Sequence, residues 1–148
     1  MKRIAIIGLG LMGGSLGLAL KASKDMEVEI VGFSQRPETV KRAKECGAID
    51  QGAADLVFAV QGADIVVIAT PVMVIKDVLQ KISSHLPPGC IVTDTGSTKT
   101  QVMQWADDFL PRTVYFIGGH PMAGKETSGI NESEPDLYHG CIYCLTPA

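Results

Sequence analysis

The chain opens on the feature that most constrains its fold. An apolar run, Ile4-Ala5-Ile6-Ile7, breaks at Gly8, and the pattern Gly8-x-Gly10-x-x-Gly13 follows at once, leading into a helix-like segment from Ser15 to Ser23. Each glycine answers a separate demand. Gly8 lets the chain turn tightly out of a strand, Gly10 leaves bare backbone against which a pyrophosphate can sit, and Gly13 lets the new helix pack closely on the strand. The helix start then offers unpaired N–H groups and the positive end of its dipole to phosphates. A glycine-rich turn with no ligand is the competing reading. The strand before it and the helix after it supply the context that favours dinucleotide binding. The cofactor-binding candidates in this stretch are Gly8, Gly10, Leu11, Met12 and Gly13.

Strand signals recur down the chain, each followed by a helix or a loop. Glu29–Phe33 reads as a second strand; Pro37 suits the first turn of the next helix and Gly47 its C-terminal cap. Asp50–Ala54 is expected to hold a short third strand. Ile65-Val66-Val67-Ile68-Ala69 is an uninterrupted apolar strand of the kind buried on both faces of a parallel sheet. Thr70-Pro71 ends it and opens a helix with Ile75, Val78, Leu79, Ile82 and Leu86 on one stripe, stopped by Pro87-Pro88-Gly89. Cys90–Thr93 is the fifth strand, with Asp94-Thr95-Gly96-Ser97 as its exit loop. The helix after it carries Val102, Trp105, Ala106, Phe109 and Leu110 on one face, a spacing that makes Trp105 a core residue. Val114–Ile117 is the sixth strand, leading into Gly118-Gly119-His120-Pro121-Met122-Ala123-Gly124. A long polar connection, Lys125–Gly140, is expected to lie on the surface around its Asn131–Pro135 run, and Cys141–Thr146 is a last strand.

Strands alternating with helices through short connections predict a doubly wound, Rossmann-type α/β domain with a parallel sheet. With strand order 3-2-1-4-5-6, ligands bind at the C-terminal edge where the order reverses. Gly8, Ser34, Thr70, Ser97 and His120 all follow strand ends on that edge.

Composition excludes several classes. A net charge of −3 with no basic cluster argues against a nucleic-acid partner. No apolar run approaches the roughly 20 residues of a membrane span. The Met1-Lys2-Arg3 start resembles the basic end of a signal peptide, but the apolar stretch behind it is interrupted by glycines, so a cytoplasmic domain is expected. Cys141-Ile-Tyr-Cys144 is formally C-x-x-C. An odd spacing along a strand puts the thiols on opposite faces, and no second pair completes a zinc site. Cys46, Cys90, Cys141 and Cys144 are therefore read as ordinary reduced cysteines, and no metal is expected.

The end of the second strand bears on the cofactor. An NAD site places Asp or Glu about 20 residues beyond the glycines, on the ribose hydroxyls. The sequence there is Gly32-Phe33-Ser34-Gln35-Arg36-Pro37, without a carboxylate. Ser34 and Arg36 would welcome a 2′-phosphate, which favours NADP over NAD. Arg36 as a solvated residue at a helix start is the plainer alternative. Thr70 and Pro71 join the cofactor-binding candidates at the fourth strand's exit.

Gly118-Gly119-His120-Pro121-Met122-Ala123-Gly124, with Gly8-Leu9-Gly10-Leu11-Met12-Gly13, Ala69-Thr70-Pro71 and Asp94-Thr95-Gly96-Ser97-Thr98-Lys99, resembles the prephenate/arogenate dehydrogenase family of tyrosine biosynthesis. The resemblance spans essentially the whole chain. It implies oxidative decarboxylation of prephenate or arogenate, with His120 accepting the ring-hydroxyl proton, Ser97 helping to orient His120 and the substrate, and Glu126 near the substrate mouth. An imidazole suits that proton transfer near neutral pH. His85 and His139, in a helix tail and a polar loop, are read as structural. The family continues into a helical domain that closes the site and forms the homodimer, so the present 148 residues are expected to carry half a site. Two alternatives remain at this point. One is another dehydrogenase on the same module, of the β-hydroxyacid dehydrogenase or pyrroline-carboxylate reductase type. The other is a non-catalytic NADP-binding module.

Overall fold

The computed structural model describes all 148 residues. In chain order the elements are β1 (Lys2–Ile7), α1 (Leu11–Ala22), β2 (Val28–Phe33), α2 (Pro37–Glu45), β3 (Gln51–Gly52), α3 (Leu56–Val60) and β4 (Ile65–Ile68). They continue with α4 (Val72–Ile82), β5 (Ile91–Asp94), α5 (Thr100–Phe109), β6 (Tyr115–Pro121) and β7 (Tyr143–Pro147). The sheet runs β3-β2-β1-β4-β5-β6-β7, the expected order with one strand added at the edge. β1 to β6 pair in parallel, while β7 runs antiparallel to β6, so the sheet is mixed at that edge and not wholly parallel.

The two faces follow from the pleat. Alternate residues of each strand point to opposite sides. Ile4, Ile6, Ile30 and Val67 pack under α1 and α2, and Ala5, Ile7, Val31, Val66, Ile68 and Val92 under α3, α4 and α5. Right-handed crossovers force this division. The chain steps one way from β1 to β3 and the other way from β4 to β6, so the helices change face where the order reverses. The stripe Ile75, Val78, Leu79, Ile82 and Leu86 is buried as expected, and so is Trp105.

Several boundaries differ from the sequence reading, each for a local reason. α1 begins at Leu11, not Ser15, so Gly13 and Gly14 lie inside its first turns. Gly8 has φ +97°, and a Cβ there would sit 2.6 Å from the Ala69 carbonyl oxygen of the neighbouring β4 exit. At Gly13 a Cβ would collide with the Gly8 carbonyl oxygen, so helix and turn touch backbone to backbone. The short helix α3 carries no long apolar stripe and is marked only by its N-cap, Asp55, whose carboxylate accepts the Phe58 N–H at 2.8 Å.

β6 extends to Pro121, four residues past the expected end, because β7 pairs with it as far as Pro121↔Tyr143. β7 in turn starts at Tyr143. Cys141 lies before it, so the argument that one strand separates Cys141 from Cys144 does not apply; all four cysteines are free thiols.

The connection between β6 and β7 departs most from expectation. Asn131, Glu132 and Pro135 are exposed as expected, but the connection is tied down across α1 as a strap. Ile130 is buried beside Gly14, Ser15 Oγ accepts the Glu134 N–H at 3.0 Å, and Arg42 donates to Asn131 at 2.9 Å. The Tyr138 hydroxyl donates to the Met12 carbonyl at 2.6 Å. Burial, with smaller contributions from Tyr143 and Cys141, raises the Tyr138 pKa and keeps that donor protonated.

Candidate functional site

The C-terminal edge of the sheet carries two clefts that meet at Ala69-Thr70-Pro71. The first, of about 440 Å³, is walled by the glycine turn (Gly8, Leu9, Gly10), the β2 exit (Phe33, Ser34, Gln35, Arg36) and one side of α4. The second, of about 410 Å³, lies over Met12, the β5 exit (Thr95, Gly96, Ser97) and His120, Pro121 and Ala123. A ligand long enough to occupy both would pass Thr70-Pro71 and lie across the start of α1.

The first cleft suits a dinucleotide on physical grounds. Gly10 is the N-cap of α1 and makes no side-chain cap, and no acidic residue lies in the first turn. The amides of that turn thus have no side-chain acceptor, which is what an anion needs. A Cβ at Gly10 would project into open space, so the approach to those amides is bare backbone. At the far end Ser34 is half-buried and accepts the Arg36 N–H at 3.4 Å. The Arg36 side chain is exposed, and none of the ion pairs or side-chain hydrogen bonds of the fold uses it. No carboxylate stands at the β2 exit; the one acid lining this cleft, Asp77, comes from α4 together with Lys81.

In the second cleft His120 is half-buried on β6 and Ser97 is exposed on the β5 exit loop. β5 pairs with β6 only as far as Thr93↔Ile117, so His120 stands beyond the end of its neighbouring parallel strand, on the ligand edge. No hydrogen bond joins Ser97 to His120. The two line the same cleft.

The candidates therefore divide. Gly8, Gly10, Ser34, Arg36, Thr70 and Pro71 line the first cleft, and Met12, Ser97 and His120 the second, with Thr70 and Pro71 common to both. Leu11 and Gly13 line neither, Gly13 acting through close packing instead. Glu126 is exposed on the strap and lines neither cleft, so the chain by itself does not bring it to the site.

Asp94, Lys99, Phe33 and Lys81 were not singled out from the sequence. Asp94 carried a usable signal: a carboxylate closing a buried strand must find partners. Its side chain is fully buried and accepts the Gly96 N–H at 2.9 Å, the Gly119 N–H at 3.1 Å and the Lys99 ammonium.

The profile of the family described as "Prephenate dehydrogenase, nucleotide-binding domain" matches residues 16–148. The chain belongs to the prephenate dehydrogenase family. Among its members, the prephenate dehydrogenase of Lactococcus lactis subsp. cremoris (strain MG1363) is 41% identical over 148 residues, covering 99% of this chain and 41% of that protein. A crystal structure of prephenate dehydrogenase from A. aeolicus, in complex with hydroxyphenyl propionate and NAD+, superposes with TM-score 0.90 at 33% identity, over 100% of this chain and 51% of that one. Synechocystis arogenate dehydrogenase gives TM-score 0.89 at 36% identity, over 99% of this chain and 50% of that one. The chain thus spans about half the length of these relatives or less, and what it holds is the family's nucleotide-binding domain. Membership sets aside the β-hydroxyacid dehydrogenase and pyrroline-carboxylate reductase alternatives. No helix of the chain is long and apolar enough to cross a membrane.

Proposed function

We propose that this domain binds NADP in preference to NAD and contributes the cofactor half of a site that oxidatively decarboxylates prephenate or arogenate. The observation that carries the reading is the placement of His120. It is a half-buried imidazole on the ligand edge, in a cleft that shares Ala69, Thr70 and Pro71 with the cleft of the glycine turn. The pyrophosphate would rest on Gly8, Gly10 and the first turn of α1, and the adenosine end on Phe33, Ser34 and Arg36. When bound, the nicotinamide ring supplies the hydride acceptor.

The chain's own residues do the rest. His120 takes the proton of the substrate's ring hydroxyl as the carbon bearing it gives up hydride. The ring carboxylate leaves as carbon dioxide, its bonding pair flows through the ring to the oxygen as the ring becomes aromatic, and the proton held by His120 returns to that oxygen. Ser97, across the cleft from His120, supplies a hydroxyl for the substrate. The NADP preference rests on the free Arg36 guanidinium and the missing carboxylate at the β2 exit. A planar guanidinium recognises phosphate through two parallel hydrogen bonds.

The test joins this chain to the remainder of the L. lactis relative and follows reduced cofactor at 340 nm with prephenate or arogenate and either nucleotide. Turnover with one of these substrates, faster with NADP, is expected. The 148-residue chain alone should bind NADP yet turn over poorly, because contacts to remote parts of the substrate contribute to the reaction step. Full turnover by the isolated chain, or none by the chimera, overturns the reading.

A further inference from the structure

We infer that Asp94 and Lys99 form a clamp that sets His120 against the Ser97 loop, so that both are positioning residues for the reaction proposed above. The consequence for turnover rests on that reading; the clamp itself rests on geometry alone.

β5 ends at Asp94, and its backbone pairing with β6 stops at Thr93↔Ile117. Two residues further along β6, the Gly119 N–H is taken by Asp94 Oδ1 at 3.1 Å. A side-chain carboxylate thus continues the contact between the strands where the backbone ladder has run out, next to His120. Its other oxygen, Oδ2, accepts the Gly96 N–H at 2.9 Å and fixes the loop that presents Ser97. One buried carboxylate therefore ties both walls of the second cleft. A charge this deeply buried needs a counter-charge. Lys99 supplies it, reaching Oδ2 from the start of α5 with its side chain only 17% exposed.

The glycines before His120 follow from this arrangement. A Cβ at Gly118 would lie 3.0 Å from Lys99 Cδ and 2.9 Å from Met103 Sδ. A Cβ at Gly119 would strike the Asp94 carbonyl oxygen. Gly118 leaves room for the lysine stem to cross β6, and Gly119 lets β6 lie flush on the end of β5. The Asp94–Lys99 and Gly118–His120 motifs are two halves of one device.

The test reads His120 directly on the 148-residue chain, by its rate of carbethoxylation with diethylpyrocarbonate resolved by peptide mass. The exposed His85 and His139 serve as internal references. Lys99→Met should raise the His120 rate about fivefold or more, the change in population that losing one ordinary hydrogen bond brings, with His85 and His139 unchanged. Lys99→Arg, which keeps the charge, should restore most of the protection. Leu79→Ala, a core change on the buried face of α4 that destabilises the fold without touching the clamp, should leave the His120 rate near that of the native chain. In the chimera, Lys99→Met should lower kcat by roughly 10–100-fold, as for a misplaced reacting group, with KM for NADP little changed. If Lys99→Met does not fold, Gly118→Ala displaces the lysine stem and takes its place in the same measurement.

An unchanged His120 rate in Lys99→Met, or equal acceleration in Leu79→Ala, overturns the clamp. A native chimera without turnover overturns the functional reading instead, and the histidine rates still decide the clamp.

Discussion

Replacing Ser34 by Asp and Arg36 by Ala together is expected to turn the cofactor preference from NADP toward NAD. The fold should hardly notice. The Arg36 side chain has no partner in the protein, and an Asp at position 34 can accept the Arg36-position N–H as Ser34 does now at 3.4 Å. Changes of this kind away from the core are usually worth within about 0.5 kcal/mol. The effect on NADP has two parts. Losing a charge-assisted contact to the 2′-phosphate costs about 1.5–3 kcal/mol. Placing a carboxylate opposite that phosphate adds about 1 kcal/mol at 4 Å in water-like surroundings, the relevant limit at an exposed rim. The sum, about 2.5–4 kcal/mol, lowers NADP affinity on the order of 10²–10³-fold. NAD lacks the phosphate and gains an acceptor for its ribose hydroxyls, so its Kd should hold or improve. Calorimetric titration of the 148-residue chain with both nucleotides measures the ratio directly, with thermal melts as the folding control. An affinity ratio unchanged in the double variant, with the melt intact, would show that the adenosine ribose does not sit at the β2 exit.

Three further outcomes are expected. His120→Asn in the chimera should lose about 10²–10⁴ in kcat, the usual contribution of a general base, while the NADP Kd of the isolated chain stays put; loss of cofactor binding alone would make His120 structural. Gly13→Ala drives a methyl into the Gly8 carbonyl, and overpacking of this kind costs about 1–3 kcal/mol or more; the melting temperature should fall by several degrees and NADP affinity with it, and a native-like melt would refute the backbone contact. Asp50 is partly buried, which on its own would raise its pKa, but hydrogen bonds from Lys21 and the Ile30 N–H outweigh burial and hold it below its ordinary 3.8. Its stabilising contribution is therefore complete above that value and is lost as pH falls through the lower folded-state value, so Asp50→Asn should flatten the loss of urea stability below about pH 4; an identical acid limb in the variant would refute the assignment.

Much of this protein was legible in its sequence because the signals are local. The glycine turn, the continuous apolar strand Ile65–Ile68 and the helical stripe Ile75 to Leu86 each state their own conformation, and a right-handed crossover rule converts their order into the sheet. The same rule brings Gly8, Ser34, Thr70, Ser97 and His120 to one edge without knowledge of any side-chain contact. What tertiary structure decided is what depends on a partner far along the chain. β6 runs on to Pro121 only because β7 returns antiparallel beside it. The polar stretch after Lys125 becomes a strap over α1 because Gly14 leaves a space that Ile130 fills and Met12 offers a carbonyl that Tyr138 meets. Asp94 looked like a loop residue until burial required it to collect two amides and an ammonium from Gly96, Gly119 and Lys99. Glu126, placed near the substrate by resemblance, is left exposed by the strap that carries it. Strand and helix periodicity report a residue's immediate neighbours along the chain; which distant groups must satisfy a buried charge, or cover an open backbone, is settled only when the faces meet.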